Sequence, residues 1–73
     1  MDKPVVKFDP RYGVMSSKWA YKSYDVMALN HPIKGHKAVT TSVVLSEIVE
    51  NGVIVKFETL NTIYVAEGSK YDK

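Results

Sequence analysis

Asn51-Gly52 stands between two runs rich in β-branched and apolar residues, Val39 to Glu50 and Val53 to Leu60. Asn-Gly accepts two positive φ angles at little cost, as a type I′ turn requires, and that turn matches the twist of the strands it joins. A two-residue loop also sets the register. Glu50 is expected opposite Val53, Val49 opposite Ile54, Ile48 opposite Val55, Glu47 opposite Lys56 and Ser46 opposite Phe57. This register pairs Glu47 with Lys56, a cross-strand contact worth a few tenths of a kcal/mol up to ~1. It also places Val44, Ile48, Val55 and Phe57 on one face, the expected core side, to which Trp19 and Ile63 are added as further core residues.

Seventy-three residues suffice for one domain and leave no room for a second core. A chain of this size buries a modest share of its surface, so a stability of only a few kcal/mol is expected. No cysteine is present to add disulfides, which points to a reducing, cytoplasmic setting. No apolar run approaches the ~20 residues of a membrane helix, and no signal-peptide core opens the chain, so a soluble protein without membrane contact is expected. The formal charge is +2, mild for a free-standing DNA-binding module. It is unevenly spread: seven of the ten basic residues precede Ala38, against three of the eight acids. A basic amino-terminal half beside a weakly acidic hairpin suits a polar protein partner or a nucleic acid, and equally a solvated surface.

Along the chain, Val5 to Phe8 follows Pro4 as a short extended segment, expected as an edge strand. Asp9-Pro10-Arg11-Tyr12-Gly13 has the residue order of a turn, with Asp first, Pro second and Gly at the exit. Ser16 or Ser17 is a candidate cap for a short helical turn around Trp19. A strand from about Lys22 to Leu29 then puts Tyr24, Val26 and Ala28 on one side, and helix against strand stays open over Lys18 to Leu29. Asn30-His31-Pro32 and Lys34-Gly35-His36 are breakers forming a loop of six or seven residues. Thr62 to Ala66 forms a last strand with Ile63 and Val65 on one side. Four or five short strands at this spacing predict a mainly β domain over residues 1–66, a small antiparallel sheet or partly closed barrel. Residues 67–73, with Gly, Ser and four charges, are expected to fray as a tail.

Catalytic and metal constellations are not apparent. His31 and His36 lie five apart without cysteine or a carboxylate at ligand spacing, so two exposed imidazoles account for them better than a metal site. Thr40-Thr41-Ser42 lacks a nucleophile elbow, and threonine is simply a good strand former there. The four glycines lie singly, without a phosphate loop. A non-enzymatic protein without cofactor is expected.

The aromatics carry more information. Tyr12, Trp19, Tyr21 and Tyr24 interleave with Arg11, Lys18 and Lys22, the alternation that single-stranded nucleic-acid binders use as stacking platforms beside a positive track. The same residues equally suit one end of a small core, a role assigned here to Trp19. Lys3-Pro4-Val5-Val6-Lys7-Phe8 joins charge to an extended edge that a partner strand can reach, or that its lysines simply protect. Both readings keep Lys3 and Lys7 in solvent. The candidate partner-binding set is Lys3, Val5, Lys7, Phe8, Arg11, Tyr12, Lys18, Tyr21 and Lys22.

Thr40-Thr41-Ser42 with Val43-Val44, then Thr59-x-Asn61-Thr62-x-Tyr64, and the preceding His31-Pro32, resemble a pattern in small phage and prophage proteins of unassigned function. The resemblance covers about Leu29 to Val65, roughly half the chain, with short motifs. In size and type the chain is similar to the short RNA polymerase-binding transcription regulator of a Xanthomonas phage, a likeness that carries no residue onto particular positions. It implies binding to host RNA polymerase near its largest subunit, interference with sigma-factor engagement, inhibition of initiation and a role in antitermination; a monomer in the host cytoplasm is expected. The alternative is a small nucleic-acid-binding β-barrel using the interleaved basic and aromatic residues.

Overall fold

Residues 3–12, 15–16, 23–31 and 35–72 are described in this computed structural model. They form seven strands and no helix: β1 (Val5–Phe8), β2 (Met15–Ser16), β3 (Tyr24–His31), β4 (Gly35–Thr40), β5 (Val44–Glu50), β6 (Val53–Thr59) and β7 (Ile63–Ala66). The strands make one sheet in the order β2-β3-β1-β7-β6-β5, with β4 on the other side of β3. The chain is thus mainly β. The sheet is mixed rather than antiparallel throughout, because β1 runs parallel to β7, from Val5 opposite Ile63 to Phe8 opposite Ala66. It is also open, since no pairing joins β4 to β5 among the described residues.

The hairpin forms where expected. Asn51 and Gly52 both take positive φ, 52° and 77°, as the type I′ turn demands. Glu50 faces Val53 and Val49 faces Ile54. The next pair is Ile48 with Lys56, not Val55, so Val55 is an inserted residue on β6. The bulge corrects the expected Glu47–Lys56 and Ser46–Phe57 pairs: Glu47 lies opposite Phe57 and Ser46 opposite Glu58. It also turns Ile48 outward, where it is exposed, while Phe57 stays buried. The run read as one strand from Val39 to Glu50 is divided at residues 41–43, β4 pairing with β3 and β5 with β6. Thr41 marks the break, its amide bonded to the Tyr24 carbonyl and its Oγ1 accepting the Tyr24 N–H at 3.0 Å.

Alternation on β3 settles Tyr24 to His31 as strand, with Tyr24, Val26 and Ala28 all buried on one side. The helical turn around Trp19, and Trp19 as a core residue, lie outside the described residues. β3 continues to His31 and β4 starts at Gly35, paired with each other, so residues 30, 31, 35 and 36 of the expected loop belong to strands. At the turn after β1, the Tyr12 amide bonds to the Asp9 carbonyl across Pro10 and Arg11. Asp9 Oδ1 also accepts the Arg11 N–H at 2.9 Å.

The core gathers side chains from β1, β3, β4, β6 and β7. Val6 and Phe8 from β1 meet Tyr24, Val26 and Ala28 from β3, Val39 from β4, Phe57 from β6, and Tyr64 and Ala66 from β7. Val44, Ile54 and Val55 pack against this cluster from the rim. Phe57 is its centre: Tyr64 stacks on it with centroids 4.6 Å apart, Tyr24 meets it edge-on at 5.0 Å and Phe8 leans on it at 5.4 Å. Such offset and edge contacts add ~0.5–1.5 kcal/mol each to the burial of the rings. Ile63, expected in the core, is only half-buried, because its neighbours Tyr64 and Ala66 take the inward positions.

Candidate functional site

β1 positions the described part of the candidate set, and it is an interior strand. Its backbone pairs with β7 along its length, extended by Ile63 N–H to Pro4 O and Glu67 N–H to Phe8 O. On its other side Phe8 pairs with Ala28, and the Lys7 N–H donates to Asn30 Oδ1 at 2.6 Å. The expectation of an accessible edge at Val5 to Phe8 is therefore corrected. The apolar alternation makes this a central strand: Val6 and Phe8 point into the core, both fully buried, and Val5 and Lys7 point out. Phe8 accordingly leaves the set of surface residues.

The lysines expected in solvent are committed within the chain. Lys3 Nζ pairs with Glu58 and donates to the Thr59 carbonyl at 2.9 Å. Lys7 Nζ lies 3.3 Å from Asp72 Oδ1. Arg11, on the outside of the turn, meets both carboxylate oxygens of Asp9, at 3.2 and 3.3 Å. The hydrogen bonds that Arg11 donates to Asp9, and then the charge of that carboxylate, raise the guanidinium above its ordinary value. Tyr12 beside it is exposed. Lys18, Tyr21 and Lys22 lie outside the described residues. Of the candidate set, Lys3, Lys7 and Arg11 thus each face a carboxylate of the chain.

What the fold builds on the outer face of β1 is a groove. Residues 67–72 turn back over the sheet after β7, through Gly68 at a φ of 82°. Asp72 holds the turn, its Oδ2 accepting the Gly68 N–H at 2.9 Å while Oδ1 meets Lys7. The Gly68 hydrogen bond and then Lys7 hold the Asp72 carboxyl below its ordinary value. Lys56 and Lys70 each place an ammonium 5.4 Å from the Tyr71 ring centroid, and Lys70 reaches Glu50 Oε2 at 2.8 Å, which raises the Lys70 ammonium above its ordinary value. Between this segment and the strands lies a cleft of about 440 Å³ lined by Val5, Lys7, Asn30, Val65, Tyr71 and Asp72. Its floor is apolar, Val65 being buried and Val5 half open, and its rim is polar.

Two residues of the candidate set, Val5 and Lys7, thus come together in one cleft. Arg11 and Tyr12 flank it in chain order at the end of β1, and Lys3 is tied to β6 instead. Asn30, Val65, Tyr71 and Asp72 were not foreseen. The one available signal was Tyr71 between Lys70 and Asp72, an aromatic among charges like Tyr12 beside Arg11. Among the described residues there is no cluster of three His, Asp or Glu side chains able to hold a metal, and no helix long and apolar enough to cross a membrane. Comparison of the chain with protein families, with curated proteins and with solved structures returned no match.

Proposed function

We propose that this chain is a non-catalytic protein-binding regulator that docks on host RNA polymerase through the outer face of β1 and so inhibits initiation by hindering sigma-factor engagement. The observation that carries protein binding is the cleft on that face, an apolar floor of Val5 and Val65 inside a rim of Lys7, Asn30, Tyr71 and Asp72. An apolar centre with a polar, ion-paired rim has the anatomy of a protein–protein contact. The polymerase as partner rests on the resemblance in size and type to a phage regulator. Opposed to a nucleic-acid role are the ion pairs that neutralise Lys3, Lys7 and Arg11.

The test is co-purification of the tagged chain with polymerase from host lysate, beside oligonucleotide binding at two salt concentrations. Retention of polymerase by the wild-type chain and its loss in Val5→Asp, at unchanged thermal midpoint, is the expected result. Oligonucleotide binding that weakens steeply with salt, with no polymerase retained, would overturn the proposal in favour of the nucleic-acid reading.

A further inference from the structure

The free edge of the sheet at β5 has an unusual make-up. β5 ends the strand order, so among the described residues its side away from β6 has no strand beside it. Exposed edges are ordinarily blunted by lysine or proline, which keep other strands from adding on. β5 has no lysine or proline between Val44 and Glu50, and its two charges, Glu47 and Glu50, are bound within the chain, whereas β4, off the path beside β3, presents exposed Lys37. Five of the eight exposed large hydrophobic residues among those described lie at or beside β5: Val43, Leu45, Ile48, Val49 and Val53. Val44, Leu45, Ser46 and Glu47 alone line a concavity of about 200 Å³, open space along the strand.

We infer that this edge pairs with the β5 edge of a second copy, antiparallel, about a two-fold axis at Ile48. In a two-residue hairpin the closing pair, here Glu50 and Val53, directs its hydrogen bonds inward. Alternation then leaves the N–H and C=O of Val49 and Glu47 pointing away from β6. A two-fold axis at Ile48 sets Glu47 opposite Val49 of the second copy, so these groups bond, and sets Ile48 against Ile48. Glu50 falls opposite Ser46. No like charges meet, whereas an axis at Glu47 opposes two carboxylates. The carboxylates are also committed at home, Glu47 to the Tyr24 hydroxyl and Glu50 to Lys70. That removes the attraction a foreign basic strand needs and favours the isologous pair. The irregularity at Leu45 limits the contact to about Ser46–Glu50, so the dimer is weak and concentration-dependent. β6 and β7 separate this edge from β1, which leaves the cleft open in the dimer.

Sedimentation of the full chain from low micromolar to millimolar concentration tests the inference. A reversible monomer–dimer equilibrium is expected. Ile48→Glu should abolish it: the new carboxylate faces Lys56 within the chain, so the fold is kept, but faces its own copy across the axis. Because the chain has no cysteine, Ile48→Cys provides a second reading. The non-hydrogen-bonded pair brings Cα atoms to ~4.5 Å, within disulfide reach. Oxidation should cross-link Ile48→Cys well ahead of Val53→Cys, although Val53 is the more exposed of the two, because Val53 lies off the axis. Monomer at every concentration, a dimer that survives Ile48→Glu, or equal cross-linking of the two cysteine variants would each overturn it.

Discussion

Replacing Phe57 with Ala is the most demanding test of the core. Phe57 is 1% exposed and touches three rings, those of Phe8, Tyr24 and Tyr64. Truncating a buried phenylalanine costs ~3–5 kcal/mol, and losing three ring contacts places this site in the upper part of that range. At ~0.05–0.15 kcal/mol per residue, a 73-residue chain has about 4–11 kcal/mol in all. Phe57→Ala should therefore remove at least a third of the stability. At ~4–8 °C per kcal/mol for a domain of this size, the midpoint should fall by about 16–40 °C. Urea and thermal unfolding followed by far-ultraviolet circular dichroism measure it. Leu60→Ala is the control, since Leu60 is 69% exposed and such substitutions stay within ~0.5 kcal/mol. A Phe57→Ala loss below ~1 kcal/mol would refute the placement of Phe57 at the centre of the core.

Gly52→Val should cost on the order of 1 kcal/mol or more through backbone strain alone, because φ is +77° and a Cβ there meets nothing within 4 Å; an unchanged midpoint would argue against the I′ turn. Asp72 is held below its ordinary value of 3.8, so its contribution is present above that pH and is lost as pH falls through the lowered folded value. Amide exchange at Gly68 should accelerate over that acid range, and Asp72→Asn should show the fast exchange already at neutral pH. Burial, the larger influence, raises the Tyr64 phenol above its ordinary 10.0 against the opposing Thr62 hydrogen bond. Stability from Tyr64 is therefore full below pH ~10 and declines as pH rises through the folded value, a slope that Tyr64→Phe should lessen in alkaline unfolding curves.

The local signals were legible and the long-range ones were not. Asn51-Gly52 specified its turn and the first two cross-strand pairs, because a two-residue loop leaves the chain no other geometry. The bulge at Val55 was hidden, since Val53 to Phe57 reads equally well with or without an inserted residue, and the tertiary demand to bury Phe57 beside Tyr64 decides it. Tyr24, Val26 and Ala28 were correctly grouped on one side of a strand by alternation. β1 was taken for an edge because its lysines suggested solvent. Its true partner, β7, lies more than fifty residues away, and a parallel pairing leaves no mark in either segment. The cleft was missed for the same reason: residues 67–72 look like a tail, and only Lys7–Asp72 and Glu67–Phe8 reveal their place over the sheet.

The central claim, that the outer face of β1 docks on a protein, is tested most directly by titrating purified host RNA polymerase with the chain and its Val5→Asp variant, in the presence and absence of sigma factor. Saturable binding by the wild-type chain, competition with sigma, and at least tenfold weaker binding by Val5→Asp, a loss of ~1.4 kcal/mol, is the expected result. No binding by the folded wild-type chain, or equal binding by the two, would contradict it.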